Sequence, residues 1–212
     1  NSMELFEKDK KLYEMLIIIN RIGTVHYHLS EFTNAIQYFE KTLQRSIKYG
    51  SPIIQSIALG NLGNIYDDIG QNQKALNLFN QKYKIASELN NIEGIASSIA
   101  SIGNLNLKDG LYDKAIINYQ KALLYFIQIE RKSSISNMHS NIGLIHLYRG
   151  EYNEAIYNFE REAEINESLS YNSAKLRNYL NTGNLYKKTS NYELAEKYYT
   201  KAFSLTKDLG SV

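Results

Sequence analysis

The chain contains no cysteine, which excludes a disulfide framework and any thiol chemistry and fits an intracellular protein. Long hydrophobic runs are missing as well. The longest purely apolar stretch is Met15 to Ile19, far short of the roughly 20 residues that cross a bilayer. No secretory signal is visible, so a cytoplasmic protein with no membrane partner is expected. Charge of one sign is also lacking: 24 basic against 22 acidic residues leave a net +2, and no global pull toward nucleic acid follows. Sustained alternation of apolar and polar residues is absent, which leaves no strand signal. Catalytic signatures are missing too. There is no phosphate loop, nucleophile elbow or His-Glu-x-x-His. Of the 4 histidines, His26, His139 and His146 share the core phase of Tyr66 and Tyr179 and read as packing residues. Only His28 reads as exposed, and one histidine makes no metal site. The pair Asp67-Asp68 lies on a helix surface with no pocket to perturb it. A non-enzyme with no metal and no cofactor is expected.

What the sequence does have is repetition. Asn61-Leu62-Gly63-Asn64-Ile65-Tyr66, then Gly70, Lys74-Ala75 and Phe79, is one of five copies. The glycine returns as Gly23, Gly63, Gly103, Gly143 and Gly183, at a period of 40. The alanine returns as Ala35, Ala75, Ala115, Ala155 and Ala195, and the aromatic as Phe39, Phe79, Tyr119, Phe159 and Tyr199. Self-similarity at a fixed period of this size marks a solenoid that grows by stacking units and has no single central core. A hydrophobic content of 43% is ample for burial between neighbouring repeats.

Within a repeat the apolar spacing is helical. Leu12, Leu16, Ile19, Ile22 and His26 fall three and four apart and predict a first helix from about Lys10 to Leu29. A second runs from about Phe32 to Tyr49, with Ala35, Ile36, Phe39, Leu43 and Ile47 inward. Gly50-Ser51-Pro52 closes the unit, glycine ending one helix and proline opening the next. Later internal turns fall at Gly70, Gly110, Gly150 and Ser190, and later repeat-to-repeat loops at Asn90-Asn91, Glu130-Arg131 and Ser170-Tyr171-Asn172. The expected organisation is a leader extension over 1–9, where Asn1-Ser2-Met3 reads as a cloning scar or trimmed end. A single solenoid over 10–210 follows, with repeats of about 10–49, 50–89, 90–129, 130–169 and 170–210 and no second domain. No sixth pair or polar capping helix follows Gly210. The last helix, about Tyr192 to Leu209, is expected to expose an apolar stripe including Phe203 and Leu205. A fragment of a longer protein, or an end that pairs with another copy, would account for that.

These residues resemble the tetratricopeptide repeat (TPR), whose helix A carries a large residue, Leu-Gly and Tyr, and whose helix B carries Ala, an aromatic and Ala. Repeat two supplies Leu59, Leu62-Gly63, Tyr66, Gly70, Ala75 and Phe79. Repeat five supplies Tyr179, Gly183, Tyr186, Tyr192, Ala195, Tyr199 and Ala202. The resemblance implies an all-α, right-handed α-α superhelix of five TPR helix-turn-helix repeats. The family's usual period is 34, so each helix here should be longer by half a turn to one turn. That variant is similar to the Pins/LGN polarity adaptors and to bacterial regulators whose TPR domain binds a peptide or partner protein. Departures are His26, Asn106 and His146 at the helix-A tyrosine, and Lys82 and Glu162 at the second helix-B alanine. Looser packing is expected there.

The small residues are explained by close packing. Glycine costs about 1 kcal/mol against alanine inside a helix, so five in register must serve a close approach of helix A to helix B. Leu62, Tyr66 and Phe79 would fill the space beside it. The opposite face of helix A is the candidate site, because the resemblance places it on the inner, concave surface. Its positions are Arg21 and Thr24, Asn61 and Asn64, Ser101 and Asn104, Asn141 and Leu144, and Asn181 and Asn184. A side-chain amide both donates and accepts, which suits capture of an extended backbone. Amides that merely bridge neighbouring helices are the alternative. Tyr27, His28, Asp67, Asp68, Lys108, Tyr148, Arg177, Lys187 and Lys188 continue that face, acidic near repeat two and basic near repeat five. They either orient a charged peptide, its acidic end toward Arg177 and Lys188, or form a solvated face. A chaperone-type carboxylate clamp is disfavoured, because Asn20, Gly60 and Ala100 occupy one of its positions.

The expected function is a non-enzymatic interaction module that binds a protein or peptide segment in that groove. A sensory or regulatory module of a longer signalling protein or transcription regulator is the alternative. A self-association scaffold built on the uncapped last helix is a third.

Overall fold

The computed structural model describes residues 2–169 and 172–209, with side chains from 10 to 207 within those spans; Ser170 and Tyr171 of the expected fourth-to-fifth loop, and the closing Gly210, lie outside them. Among the described residues there are ten α-helices and no strand, as the helical spacing requires. They are α1 (Ser2–His28), α2 (Phe32–Lys48), α3 (Pro52–Asp68), α4 (Asn72–Glu88) and α5 (Ile92–Lys108), then α6 (Tyr112–Gln128), α7 (Lys132–Arg149), α8 (Tyr152–Glu167), α9 (Asn172–Lys188) and α10 (Tyr192–Leu209). From α2 through α6 each helix has 17 residues. Three-residue connections between them complete the period. α1 begins at Ser2 rather than near Lys10, because Met3, Glu4, Leu5, Glu7 and Lys8 are residues of good helix propensity.

One device ends α1 to α7 and α9. After α3, Gln71 N–H donates to Tyr66 C=O at 2.7 Å and Gly70 N–H to Asp67 C=O at 3.1 Å, the paired bonds of a Schellman cap. The same pair closes α1 through Glu31 and Ser30, and α6 through Arg131 and Glu130. The motif needs a left-handed residue, and glycine supplies it at Gly50, Gly70, Gly110 and Gly150. Elsewhere Ser30, Asn90, Glu130 and Ser190 take the same conformation, with φ of 60°, 51°, 53° and 59°. The backbone requirement thus recurs even where the glycine does not.

The helices fall into two compact units, divided between Leu105 and Asn106 near the end of α5. In the first, α1 packs on α2 and α3 on α4, and α2 then packs on α3. Phe39 of α2 shows how. A Cβ on Gly23 would lie 2.7 Å from its ring, so the ring occupies the space the glycine leaves. Its other side joins Ala35, Leu62 and Ile65 in a buried cluster, which ties the pair to the next A helix. Phe79 repeats the arrangement with Gly63, where a Cβ would come 2.5 Å from the ring, and with Leu105.

In the second unit α7 packs on α6 and α8, and α9 on α8 and α10. Phe159 covers Gly143 and meets Leu147 and Leu185, and Tyr199 covers Gly183. The aromatic therefore sits on the glycine itself, not beside an A–B contact as the pattern alone suggested. Within each unit these core clusters join neighbouring repeats, which is the solenoid principle.

Candidate functional site

The A helices of the first unit are α1, α3 and α5. Their shared face holds two polar cross-links, each between residues 41 apart. Asn61 Nδ2 donates to Asn20 Oδ1 at 3.0 Å. Tyr27 Oη donates to Asp68 Oδ2 at 2.5 Å, and this bond, with burial and the charges of Asp68 and Asp67, pushes the Tyr27 phenol up to about 12. Thr24 turns back onto its own helix, its hydroxyl donating to Asn20 C=O at 3.2 Å. Asn64, Asn104 and Arg21 are exposed on this face. Asp67 is half-buried near the end of α3, and Asp68 and Lys108 are exposed at the ends of α3 and α5.

Between α3 and α5 lies a hollow of about 500 Å³, bordered by Asn61, Asn64, Ser97 and Ser101. Lys82 enters it from α4 below. Its Nζ donates to Ser97 Oγ at 2.8 Å. Burial pushes the ammonium pKa down, and the carboxylate of Glu93 acts in the other direction.

The second unit presents α7 and α9. Asn181 is nearly buried, 9% exposed, and its Nδ2 donates to Ser140 Oγ at 3.3 Å. Asn184 is exposed and accepts a hydrogen bond from Tyr199 Oη at 2.8 Å. Asn141 is half-buried, while Tyr148 and Lys188 are exposed. Arg177 is held by Glu162 of α8: its Nε and Nη2 donate to Oε1 at 3.1 and 3.0 Å. Asn178 Nδ2 donates both to Glu162 Oε2 at 3.2 Å and to Phe159 C=O at 2.8 Å. Burial raises the Glu162 pKa, and Arg177 acts most strongly against that rise. A smaller hollow of about 270 Å³ lies beside Arg177, lined by Ser133, Ser136, Asn137 and Asn166.

Asn61 and Asn181 bond to neighbouring A helices, and Asn64, Asn104 and Asn184 are exposed. Arg177 is committed to a buried carboxylate. Lys82 and Glu162 are not among the sequence candidates; their charge at an alanine position is the signal, and it predicts looser packing. At Glu162 the structure differs, because the side chain is fully buried in a hydrogen-bonded network. Lys82 is half-buried and lines the hollow, with Ser97 as its hydrogen-bond partner.

The histidines expected to pack also hydrogen-bond. His26 Nδ1 lies 2.6 Å from Glu31 Oε2 with its ring stacked on Tyr38, and His146 Nδ1 lies 2.5 Å from Glu151 Oε2. His139 Nδ1 lies 3.1 Å from Asn158 Oδ1. Among the described residues, no group of three or more His, Cys, Asp or Glu could hold a metal ion, and no helix is long and apolar enough to cross a membrane.

A surface of interdigitated helix pairs with polar hollows on the A face defines a helical-repeat protein, and comparison with known proteins narrows the class. The tetratricopeptide-repeat family model matches residues 14–88, 94–168 and 134–208, and the chain belongs to that family. No curated protein sequence matches it. Among solved structures it is similar to BtubC (BKLC) from P. vanneervenii, with 16% identity and a TM-score of 0.84 over 100% of this chain and 87% of that one. Aspartyl phosphate phosphatase F from Bacillus subtilis is 21% identical, with a TM-score of 0.82 over 100% of this chain and 57% of that one. A Rap protein complexed with competence and sporulation factor is 16% identical, with a TM-score of 0.70 over 93% of this chain and 65% of that one. The chain therefore spans little more than half the length of the phosphatase.

Proposed function

We propose that this chain is a non-enzymatic protein-interaction module whose A-helix face receives a peptide or partner-protein segment. The observation that carries the reading is the pair of exposed amides Asn64 and Asn104, on the A helices α3 and α5 of the first unit at one repeat register; Asn184 is exposed at the same register in the second unit. Amides of this kind offer both a donor and an acceptor to a peptide backbone. The hollow bordered by Asn64 adds room for a side chain. Arg21, Thr24, Asp67, Asp68, Lys108, Asn141, Tyr148 and Lys188 border the same faces and would tune specificity. Membership of a repeat family that works through partner proteins supports the reading.

The test is capture from native lysate with wild type and with Asn64→Ala plus Asn104→Ala. The double variant should lose a partner that wild type retains, by about 1–3 kcal/mol. Equal retention by both would refute the amide face as the binding surface.

The fold likeness to the Rap protein solved with competence and sporulation factor, and to a longer phosphatase, favours placing the module inside a larger regulatory protein. Self-association is a second reading, and a specific surface favours it. Phe203 and Tyr192 of α10 are 70% and 67% exposed beside a hollow of about 550 Å³. Light scattering tests it: a monomer at high concentration would remove this reading and leave the first intact.

A further inference from the structure

Two helices carry apolar stripes at registers that are interfaces elsewhere in the chain. α1 packs on α2 and α3, yet its Ile18, Ile22, Val25 and Leu29 are exposed, Ile18 and Val25 by 57% each. At the register of Ile18, the residues Ala58, Ser98, Met138 and Asn178 are at most 5% exposed. At the register of Val25, the residues Ile65, Leu105, Ile145 and Leu185 are at most 3% exposed. A preceding B helix causes that burial. Ile65 lies in a cluster with Ala35 and Phe39, Leu105 with Ala75 and Phe79, and Leu185 with Ala155 and Phe159. α1 therefore presents an A-helix face shaped to receive a B helix.

α10 presents the complementary face. It packs on α9, and its Tyr199 is half-buried where Phe39, Phe79, Tyr119 and Phe159 are at most 2% exposed. Phe203 is exposed where Leu43, Tyr83, Leu123 and Ala163 are half-buried. With Tyr192 and Ala195 these residues line the hollow of about 550 Å³. In the first unit Phe32, Ala35, Phe39 and Leu43 hold the same four registers, and they join Leu62 and Ile65 of α3.

The two stripes also match each other. From Ile18 to Leu29, and from Tyr192 to Phe203, each runs about 16 Å along its helix. Glu196 stands where the other B helices carry Ile36, Leu76, Ile116 and Ile156. Ile36 shares a cluster with Tyr66, and Ile156 with Tyr186. α1 carries His26 at the register of those tyrosines, so the acid of α10 meets an imidazole there. Nε2 is the ring nitrogen left for it, since Nδ1 lies against Glu31.

We propose that α10 of one copy packs on α1 of another, head to tail, as α2 packs on α3 within the chain. This rests on the self-association reading and adds the surface that α10 meets. The contact is heterologous, so a joined pair keeps one α1 face and one α10 face for further copies. A symmetric α10 pair would leave Ile18 and Val25 in water. One helix on each side makes a small interface, so the association is weak.

The test is sedimentation equilibrium of the full chain and two variants. Wild type should pass from monomer to larger species between about 10 and about 500 µM, the range of a weak interface. Val25→Arg blocks α1 and Phe203→Arg blocks α10, and each alone should stay monomeric. Mixed in equal amounts they should form a dimer that grows no further, because one supplies an intact α10 and the other an intact α1. Both positions are exposed; circular dichroism checks folding, and Ile18→Arg or Tyr192→Arg replaces a variant that fails. Dimers that persist in Val25→Arg but vanish in Phe203→Arg would refute the head-to-tail contact and leave α10 pairing with itself. Association untouched by either substitution would overturn the contact by placing the interface elsewhere. A wild type that stays monomeric throughout would overturn self-association and this contact together, and would assign both faces to another occupant.

Discussion

Arg177 of α9 places Nε and Nη2 on a single oxygen of Glu162 from α8, at 3.1 and 3.0 Å. The carboxylate is completely buried, while the arginine side chain is 40% exposed. The pair is therefore lopsided: one partner can return to water and the other cannot. Arg177→Ala should be the more harmful truncation, costing about 3–5 kcal/mol because it leaves a buried charge without its counter-ion. Glu162→Ala should cost about 2 kcal/mol, since the freed arginine reaches solvent. Urea unfolding of both variants checks the order. The pH dependence follows from the raised Glu162 pKa, caused first by burial. A carboxyl raised in the fold binds its proton more tightly there than in the unfolded chain, so its contribution falls as pH rises from the ordinary carboxylate range through the raised value. Arg177→Ala should steepen that fall.

Lys82 is held charged in a partly buried place, at a cost to stability. Its pKa is pushed down by burial, so the cost of holding it charged is fully present below the lowered value and fades as pH rises past it. Lys82→Met keeps the stem and removes the charge. It should raise stability at neutral pH by about 1 kcal/mol, as thermal unfolding would show. A destabilised variant would mean that the ammonium serves the fold.

Glu130 holds a left-handed turn at φ 53°, a conformation that side-chain-bearing residues disfavour by about 1–2 kcal/mol. Glu130→Gly should stabilise by about 0.5–1 kcal/mol once the added freedom of the unfolded chain is subtracted. The same change at exposed Glu40, inside α2, should destabilise by a similar amount. Comparing the two melting temperatures tests whether the Schellman cap, and not merely a flexible loop, sets the helix ends.

Tyr27 and Asp68 give a spectroscopic handle on the first unit. The phenol is held protonated up to about 12 by its bond to Asp68. A raised pKa means the stabilisation is present below the unfolded tyrosine value and is lost as pH rises through 12. Absorbance titration should show Tyr27, and Tyr198 raised by burial, titrating late, and Asp68→Asn should return Tyr27 alone toward the ordinary range. An unchanged titration would place the bond outside solution behaviour.

The helix pairs were legible because their cause is periodic. Gly63 must be small for Phe79 to cover it, and the same demand returns every 40 residues, so the sequence repeats with the geometry. The turns were half legible: Gly70 announces a left-handed residue, whereas Glu130 does so only through its register. The site was less readable. Phase alone put Asn61, Asn64, Asn181 and Asn184 on one face, but it could not separate Asn61 and Asn181, which bridge to Asn20 and Ser140, from Asn64 and Asn184, which stand exposed. That choice depends on distances between helices. Lys82 and Glu162 were visible as departures from the alanine register, yet only the structure shows that long side chains at that point reach the layer of the A helices.

The central claim is that partners dock on the A-helix face. Nuclear magnetic resonance of the chain labelled at asparagine side chains, titrated with a peptide recovered by selection, tests it most directly. The account predicts that the amide signals of Asn64 and Asn104 move on binding, while methyl signals of the exposed B-helix residues Ile117 and Leu124 stay fixed. Shifts confined to Ile117 and Leu124, with the asparagine amides unmoved, would contradict it.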